Sequence, residues 1–296
     1  MQYLTRKEFI ISPKLLASEK NYNLVKILQI FEKINKAKKH ICNEVFSKIF
    51  KYIYWKELNI IDIEPINIKC SILLLQKLLE YNKLYYLMLI SDNKKAIKYK
   101  EYIIQHLKAP IYFSILNNKI DTDEFSNKIQ ELRETVNSNM LFFISTFSET
   151  NKELLNGIYK NSTFKDYLLM LIPIHNKELI KNINSKIEKL LINSTLSYIS
   201  KEWSIKVGDG EWEIGYFEPF FEVNFRLKND KKINNQNSII LLEKGFSLNI
   251  IKYYIPTEEN ILALLRQYGF EIINAFNEEN TSISILLCKK TKSIKK

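Results

Sequence analysis

The sequence predicts a doubly wound α/β fold with a mostly parallel sheet. Short apolar segments at 59–63, 84–91, 110–116, 140–146 and 167–174 alternate with amphipathic segments of helical spacing. Strands that alternate with helices of about 10–15 residues favour a parallel sheet covered on both faces. The chain has 296 residues, which is enough for two domains or one large one.

The helices are predicted from the spacing of apolar residues between these strands. The segment 123–136 has acidic residues in its first turn, which suits the helix dipole. Thr257 is a capping residue for the segment that follows it, and Gly269 is a helix stop. Helices are therefore predicted at 71–81, 94–107, 123–136, 148–159, 176–201 and 257–268, and residues 1–57 also show helical spacing.

An antiparallel β insertion is predicted at 204–255. Five of the six glycines lie between Gly208 and Gly269, and the segment 212–227 alternates aromatic and charged residues. Two strands, 238–242 and 246–254, flank a turn at 243–245. The expected organisation is an N-terminal helical region (1–57), an α/β domain (58–203 and 256–290), the β insertion (204–255) and a basic tail (291–296). A closing hairpin of strands 271–276 and 282–289 completes the sheet, and its last strand is predicted to be antiparallel.

The charge of the chain leaves two interpretations open. Lys and Arg number 44 against 33 Asp and Glu, for a net charge of +11. Only four of the basic residues are Arg, the residue suited to bidentate phosphate recognition. A solvated lysine surface explains this composition, and a nucleic-acid partner is the alternative.

Composition also sets the expected compartment and excludes several classes of protein. The sequence has no apolar run of about 18–20 residues, so no membrane-spanning helix is predicted, and we expect no signal peptide. The three cysteines are far apart, and the three histidines have no metal-binding spacing. We therefore expect a cytoplasmic protein without a metal site.

The C-terminal segment carries a family resemblance. Residues 261–290 read ILALLRQYGFEIINAFNEENTSISILLCKK, with a helix ending in GF, a strand, a turn and a final strand. This resembles the way class I S-adenosylmethionine-dependent methyltransferases close their sheet. The likeness is greatest to the histidine-type amino-acid N-methyltransferase family. The segment LFFISTFSET at 141–150 resembles a motif at the end of a strand in that family, and Lys252-Tyr253 resembles a Lys-aromatic pair that precedes the family's last helix. The resemblance covers roughly residues 45–290 as architecture.

The predicted cofactor site departs from this family at three places. The family has a glycine-rich loop after the first strand, where this chain has Glu64 and Ile66. In the family, an acidic residue at the end of the second strand binds the ribose hydroxyls. Leu89 or Ile90 occupies that position here, and the acidic residue Asp92 lies two or three residues later. The family's strand-end asparagine is matched here by Ser148 or Glu149. We expect these changes to weaken S-adenosylmethionine binding by about 2–6 kcal/mol.

Each candidate residue has a structural interpretation beside the functional one. Glu64 is most simply a solvated loop residue, and Asp92 the N-terminal cap of the following helix. The aromatic candidates of the insertion are also explained by strand packing, and Cys70 is a helix-start residue. His175 lies at a strand end, where catalytic residues are found in doubly wound folds, but no paired acid is identified for it. The resemblance implies cofactor-binding candidates Asp62, Glu64, Asn67, Ser91, Asp92, Ser145 and Thr146, and substrate-binding candidates Tyr216, Phe217 and Tyr253; no catalytic residue is assigned.

Three functional hypotheses follow. The first is a methyltransferase-like, non-catalytic subunit or binding module with a lost or altered S-adenosylmethionine site, whose partner is an active methyltransferase subunit or a peptide. The second is an active, divergent N-methyltransferase of a small amine, amino acid or peptide, since this chemistry needs little beyond positioning the acceptor nitrogen. The third is a lysine-rich nucleic-acid-binding protein. Fold alone does not choose between them.

Overall fold

The computed structural model describes residues 8–10, 45–49, 51–53, 58–65, 68–79, 85–107, 111–117, 120–136, 139–145, 152–191, 205–235, 238–277 and 283–291. These residues form two compact units. The first unit comprises the strand at 8–10 and His175–Pro256, and the second comprises the described residues of 34–174 and 257–296. The domain boundaries expected from the sequence stay predictions.

The elements follow the predicted alternation. The strands are β1 (Glu8–Ile10), β2 (Leu58–Ile63), β3 (Tyr85–Leu89), β4 (Tyr112–Leu116), β5 (Asn139–Ile144), β6 (Tyr167–Pro173), β7 (Gly210–Phe217), β8 (Phe220–Leu227), β9 (Lys231–Asn235), β10 (Ser238–Leu242), β11 (Ser247–Tyr254), β12 (Phe270–Asn277) and β13 (Ile283–Lys290). The longer helices are α1 (Ile68–Leu79), α2 (Asn93–His106), α3 (Asp123–Val136), α4 (Lys152–Asn161), α5 (Lys177–Leu191) and α6 (Glu258–Gln267).

The second unit contains a seven-stranded sheet in the order β12-β13-β6-β5-β2-β3-β4. The five strands from β2 to β6 are parallel. The last strand, β13, lies between β6 and β12 and is antiparallel to both. This confirms the predicted doubly wound α/β fold, including the antiparallel closing strand, and it is the sheet expected of a class I methyltransferase-like fold.

The centre of the seven-stranded sheet is covered on both faces. Every residue of β2 and of β6 is buried, as expected for parallel strands in the middle of a doubly wound sheet. The helix after β11 begins and ends as predicted. The Thr257 hydroxyl accepts a hydrogen bond from the Asn260 amide at 3.2 Å, and Gly269 has φ 78°, which glycine adopts without steric cost.

The first unit contains a four-stranded sheet in the order β1-β11-β8-β7. The predicted antiparallel strands are present, and the alternating segment 212–227 forms two of them, joined by a tight turn at Glu218-Pro219. The strands β9 and β10 pair only with each other, whereas β11 pairs with β8. The turn at 243–245 therefore joins strands of two different sheets.

The N-terminal region differs from the all-helical prediction for 1–57. Residues 45–49 are helical, but Glu8–Ile10 is a strand that pairs in parallel with β11. Three residues are too few to show strand periodicity, and the pairing partner lies far along the chain, so helical spacing in the following residues dominated the prediction. Most of 1–57 and the tail at 292–296 lie outside the described residues.

Candidate functional site

The carboxyl edge of the parallel strands gathers most of the cofactor candidates. Parallel strands end on the same side of a sheet, which is where ligands bind in doubly wound folds. Asp62 lies in β2, with Glu64 just after it. The remaining described candidates follow β3 and β5, and are Ser91, Asp92 and Ser145. Asn67 and Thr146 lie outside the described residues, as does Ile66.

Glu64 has the backbone conformation that the sequence analysis expected of a glycine. Its φ is 43°, and it is the non-glycine residue with positive φ among the described residues. A left-handed backbone costs a non-glycine residue about 1–3 kcal/mol. Glu64 therefore has a backbone conformation that a glycine would adopt without this cost.

The Glu64 side chain is bonded to the neighbouring strand end. Its Oε1 accepts a hydrogen bond from the Ser91 amide at 2.8 Å, and its own amide donates to the Leu89 carbonyl at 2.8 Å. Glu64 is thus a partly exposed loop residue whose side chain is hydrogen-bonded rather than free. Its carboxylate bridges the carboxyl ends of β2 and β3, because the tight turn brings the side chain alongside Ser91.

Asp62 belongs to the core of the sheet. It is fully buried, and its Oδ2 accepts a hydrogen bond from the Tyr86 hydroxyl at 2.5 Å. Burial raises the pKa of the Asp62 carboxyl to about 6, although the neighbouring Ser71 hydroxyl and, to a smaller extent, the Tyr86 hydroxyl act in the opposite direction. Asp62 Oδ1 and the Ser71 hydroxyl are buried without a hydrogen-bond partner among the described residues. The carboxylate thus contacts β3 and not the open edge.

Asp92 caps α2. Its Oδ1 accepts hydrogen bonds from the Lys94 amide at 3.0 Å and the Lys95 amide at 3.1 Å. This confirms the capping interpretation, because these are two of the amides that a helix leaves unpaired in its first turn. Ser91 is exposed and its amide is used by Glu64, whereas Ser145 is buried at the end of β5.

The substrate candidates of the insertion lie on opposite faces of the four-stranded sheet. Tyr216 pairs with Phe221, which pairs with Tyr253, whereas Phe217 pairs with Phe220 in the next row. Successive residues of a strand point to opposite faces. The three residues predicted as one substrate-binding group therefore do not form one surface within this sheet.

Tyr216 is held by contacts within its own unit. Its hydroxyl donates to the Ile255 carbonyl at 2.9 Å, and the His175 ring packs against its ring at 4.3 Å between centroids. Burial, followed by the charge of Glu218, raises the pKa of Tyr216 to about 12. The His175 amide donates to the Pro256 carbonyl at 2.9 Å. These bonds favour a structural role for His175 and Tyr216, while Phe217 is 45% exposed.

Sequence reasoning missed several polar residues in the two sheets. Tyr86 and Ser71, which surround Asp62, carry no spacing signal because their proximity depends on the fold. Glu222 and Asn224 alternate with Phe221, Val223 and Phe225 in β8. That alternation already predicts that both polar side chains share one face.

The part of the chain that the structure describes contains neither a cluster of metal-binding side chains nor a membrane-spanning helix. No group of three or more His, Cys, Asp or Glu residues there is arranged to hold a metal ion. Among the described helices, none is both long enough and apolar enough to cross a membrane.

Several solved methyltransferase structures are similar to this chain. Magnesium protoporphyrin IX methyltransferase from Synechocystis PCC 6803 has 9% identity and a TM-score of 0.45, with 93% of this chain and 89% of that chain covered. The mitomycin 7-O-methyltransferase MmcR has 10% identity and a TM-score of 0.44, and the match covers 94% of this chain and 60% of MmcR. The pyocyanin biosynthetic protein PhzM has 9% identity and a TM-score of 0.43, and the match covers 83% of this chain and 54% of PhzM. The chain spans 54–60% of the length of the last two.

No protein-family model and no curated protein sequence matches the chain. The fold assignment therefore rests on the observed strand order and directions.

Three of the described cofactor candidates are engaged within the protein. Asp62 is bonded to Tyr86 inside the core, the Glu64 side chain is bonded to the Ser91 amide, and Asp92 caps α2.

Proposed function

We propose that this chain is a methyltransferase-like protein with an altered S-adenosylmethionine site, acting as a non-catalytic subunit or binding module. Its partner is an active methyltransferase subunit or a peptide. The proposal is carried by one observation, the Glu64 side chain bonded across the carboxyl ends of β2 and β3. In the resembled family this edge is where the cofactor lies, and the loop there is free of side chains.

The energetics of Glu64 support an altered site. A ligand that needs this space must displace the carboxylate from the Ser91 amide, and a typical net hydrogen bond contributes about 0.5–1.5 kcal/mol. This cost weakens binding of the cofactor.

A second candidate function is favoured by the backbone of the same residue. Glu64 has the positive φ that a glycine at this position would readily adopt. This supports an active, divergent S-adenosylmethionine-dependent N-methyltransferase of a small amine, amino acid or peptide. When bound, the cofactor would supply the methyl group.

Calorimetry with S-adenosylmethionine and S-adenosylhomocysteine distinguishes the two candidates. We expect the wild-type chain to bind either ligand with a Kd of about 1 mM or weaker, and Glu64→Gly to bind about tenfold more tightly or better, because glycine removes the side chain and accepts the positive φ. Combining Glu64→Gly with Ile66→Gly should add to the gain. Glu64→Gln is the matched control, since its amide oxygen still accepts from Ser91.

The opposite result would promote the active enzyme. Micromolar binding by the wild-type chain, unaffected by Glu64→Gly, would overturn the altered-site proposal. Methyl transfer to amines would then be measured with the same preparations. Thermal unfolding of each variant verifies that a change in binding does not reflect loss of the fold.

A further inference from the structure

The strand β4 forms one edge of the seven-stranded sheet. It pairs with β3 on one side, and no described strand pairs with it on the other. Each residue from Tyr112 to Ile115 is at least partly exposed, and Tyr112 is 56% exposed, whereas β2 and β6 are buried throughout. The free edge of β4 is therefore accessible from solvent.

The backbone groups of Phe113 and Ile115 point to this free edge. The Leu116 carbonyl accepts a hydrogen bond from the Ile90 amide at 3.1 Å, so Leu116 directs its backbone groups towards β3. In a strand, this direction alternates from one residue to the next, as the side chains do. The amides and carbonyls of Phe113 and Ile115 thus lie on the side away from β3.

The strand β4 lacks the features that protect other sheet edges. Natural edge strands are protected from pairing by charged side chains, proline or a bulge. At the opposite edge of the same sheet, β12 carries the exposed Glu271 and a bulge between Ile272 and Asn274. At an edge of the four-stranded sheet, β7 carries Glu211 and Glu213. The sequence of β4, YFSIL, has neither a charge nor a proline, and its register with β3 is regular.

The strand β4 is self-complementary when two copies run antiparallel. A pair centred on Ser114 places Ser114 opposite itself and Phe113 opposite Ile115 of the second copy. Phe113 and Ile115 both direct their backbone groups to the free edge, so each such pair exchanges two hydrogen bonds. The Ser114 pair is then the non-hydrogen-bonded one, in which the Cα atoms approach to about 4.5 Å. Serine is small enough for this distance, and no like charges within β4 oppose each other.

We propose that β4 binds β4 of a second copy of this chain, antiparallel and centred on Ser114, so that the two seven-stranded sheets become continuous. This inference does not depend on the function proposed above. A single strand pair buries less than the ~1,200 Å² of a standard interface, so we expect a weak dimer with a Kd of about 10–100 µM.

The charge of the chain predicts the salt dependence of this dimer. Each copy has a net charge of +11, and Lys100 Nζ lies 6.0 Å from the centroid of the Phe113 ring, beside the proposed interface. The two copies therefore repel each other, and salt screens this repulsion. Association should strengthen severalfold when the ionic strength is raised from about 0.05 M to about 0.5 M. Binding of an anionic partner would weaken instead.

The test is sedimentation equilibrium of the full chain at protein concentrations from about 1 to about 300 µM, a range that brackets the expected Kd. Ser114→Lys and Ser114→Asp should each weaken the dimer at least tenfold, because like charges then face each other across the twofold axis. An equimolar mixture of the two variants should associate again, since opposite charges are then paired. This recovery is specific to the register in which Ser114 opposes itself.

Ala275→Lys and Ala275→Asp are the matched controls. Ala275 is exposed on β12, the opposite edge strand of the same sheet, so these substitutions should leave association unchanged. A monomer over the whole range, equal effects at the two positions, or a mixture of the Ser114 variants that stays monomeric would each overturn the proposal. Circular dichroism of each variant verifies the fold.

Amide hydrogen exchange of the wild-type chain gives a second readout that needs no substitution. The Phe113 and Ile115 amides should exchange more slowly at high protein concentration, because they become hydrogen-bonded in the dimer. The Ser114 amide faces β3 in either state, so its exchange should change less. If the Ser114 variants do not fold, this measurement decides alone, and exchange at Phe113 and Ile115 that is independent of concentration would overturn the proposal.

Discussion

Polar side chains lie at different places in the two larger sheets of this protein. In the seven-stranded sheet both faces are covered, and β2 and β6 are buried along their whole length. Its functional candidates are therefore confined to the strand ends, apart from Asp62. In the four-stranded sheet only one face is apolar, and the buried polar side chains Asn224 and Asn249 occupy the middle of β8 and β11 on the other face. This sheet thus carries polar groups along its strands rather than only at the strand ends.

Two buried acids in the seven-stranded unit show a second contrast. Asp166 accepts from Arg133 at 2.5 and 3.2 Å, from the Met140 amide at 2.8 Å and from the Thr163 amide at 2.6 Å. Asp62 accepts from Tyr86 and keeps one buried oxygen unpaired. Because a buried charge is stabilised only when it is paired and hydrogen-bonded, Asp166 holds strands together, whereas Asp62 opposes folding when ionised.

The largest expected effect tests the two faces of the four-stranded sheet. Phe221→Ala should lower the free energy of unfolding by about 3–5 kcal/mol, because it leaves a cavity on the apolar face. Phe220→Ala, at the adjacent residue on the opposite face, should cost about 1 kcal/mol through lost contact with Lys252 and Tyr254. Urea unfolding of both variants measures this difference. Equal losses would contradict the assignment of the apolar core of this sheet to the face that carries Phe221.

Much of the fold could be predicted because strongly periodic segments carry their own signal. The helix at 123–136 has its predicted bounds, and the strand predicted at 167–174 is observed as Tyr167–Pro173. Alternating apolar and helical segments were sufficient to give a parallel sheet with an antiparallel last strand. Such elements are set by residues close in sequence, so their bounds can be inferred without tertiary contacts.

The site was less predictable because its bonds join distant residues. The approach of the Glu64 carboxylate to Ser91 depends on a positive φ that no propensity assigns to glutamate. The bond between Asp62 and Tyr86 requires the pairing of β2 with β3. Asp92 was correctly interpreted as a cap, since capping is a local property of the helix start. Tyr216 and Phe217 are adjacent in one strand, so strand alternation alone predicts that they lie on opposite faces. Their shared aromatic character did not indicate this.

An intermediate effect tests the contrast between the buried acids. Burial raises the pKa of Asp62 from 3.8 to about 6, so the folded state binds the proton more tightly than the unfolded state. The protein therefore loses stability as pH rises from about 4 to 6, by about 3 kcal/mol at 1.36 kcal/mol per pKa unit, and the loss persists above pH 6.

Asp62→Asn should remove that loss. Its amide oxygen still accepts from Tyr86, and its Nδ2 can donate to the Ser71 hydroxyl, which lies beside Asp62. The variant should be more stable than the wild type by up to about 3 kcal/mol at pH 8 and similar to it at pH 4. Asp92→Asn is the control and should leave the pH dependence unchanged. A variant that is less stable at pH 8 would show that the ionised Asp62 is favourably solvated.

The smallest effect separates helix capping from ligand binding at the sheet edge. Asp92→Ala should lower the free energy of unfolding by about 1 kcal/mol, because the Lys94 and Lys95 amides lose their acceptor. Asp92→Ser and Asp92→Asn should restore most of this stability, since both side chains cap helices well. If Asp92 only caps α2, all three variants will bind S-adenosylhomocysteine as weakly as the wild type. If the Asp92 carboxylate also accepts hydrogen bonds from ligand hydroxyls, the wild type will bind S-adenosylhomocysteine measurably. Asp92→Asn will then lose this binding although it keeps the helix cap, and that result would show that Asp92 belongs to the cofactor site.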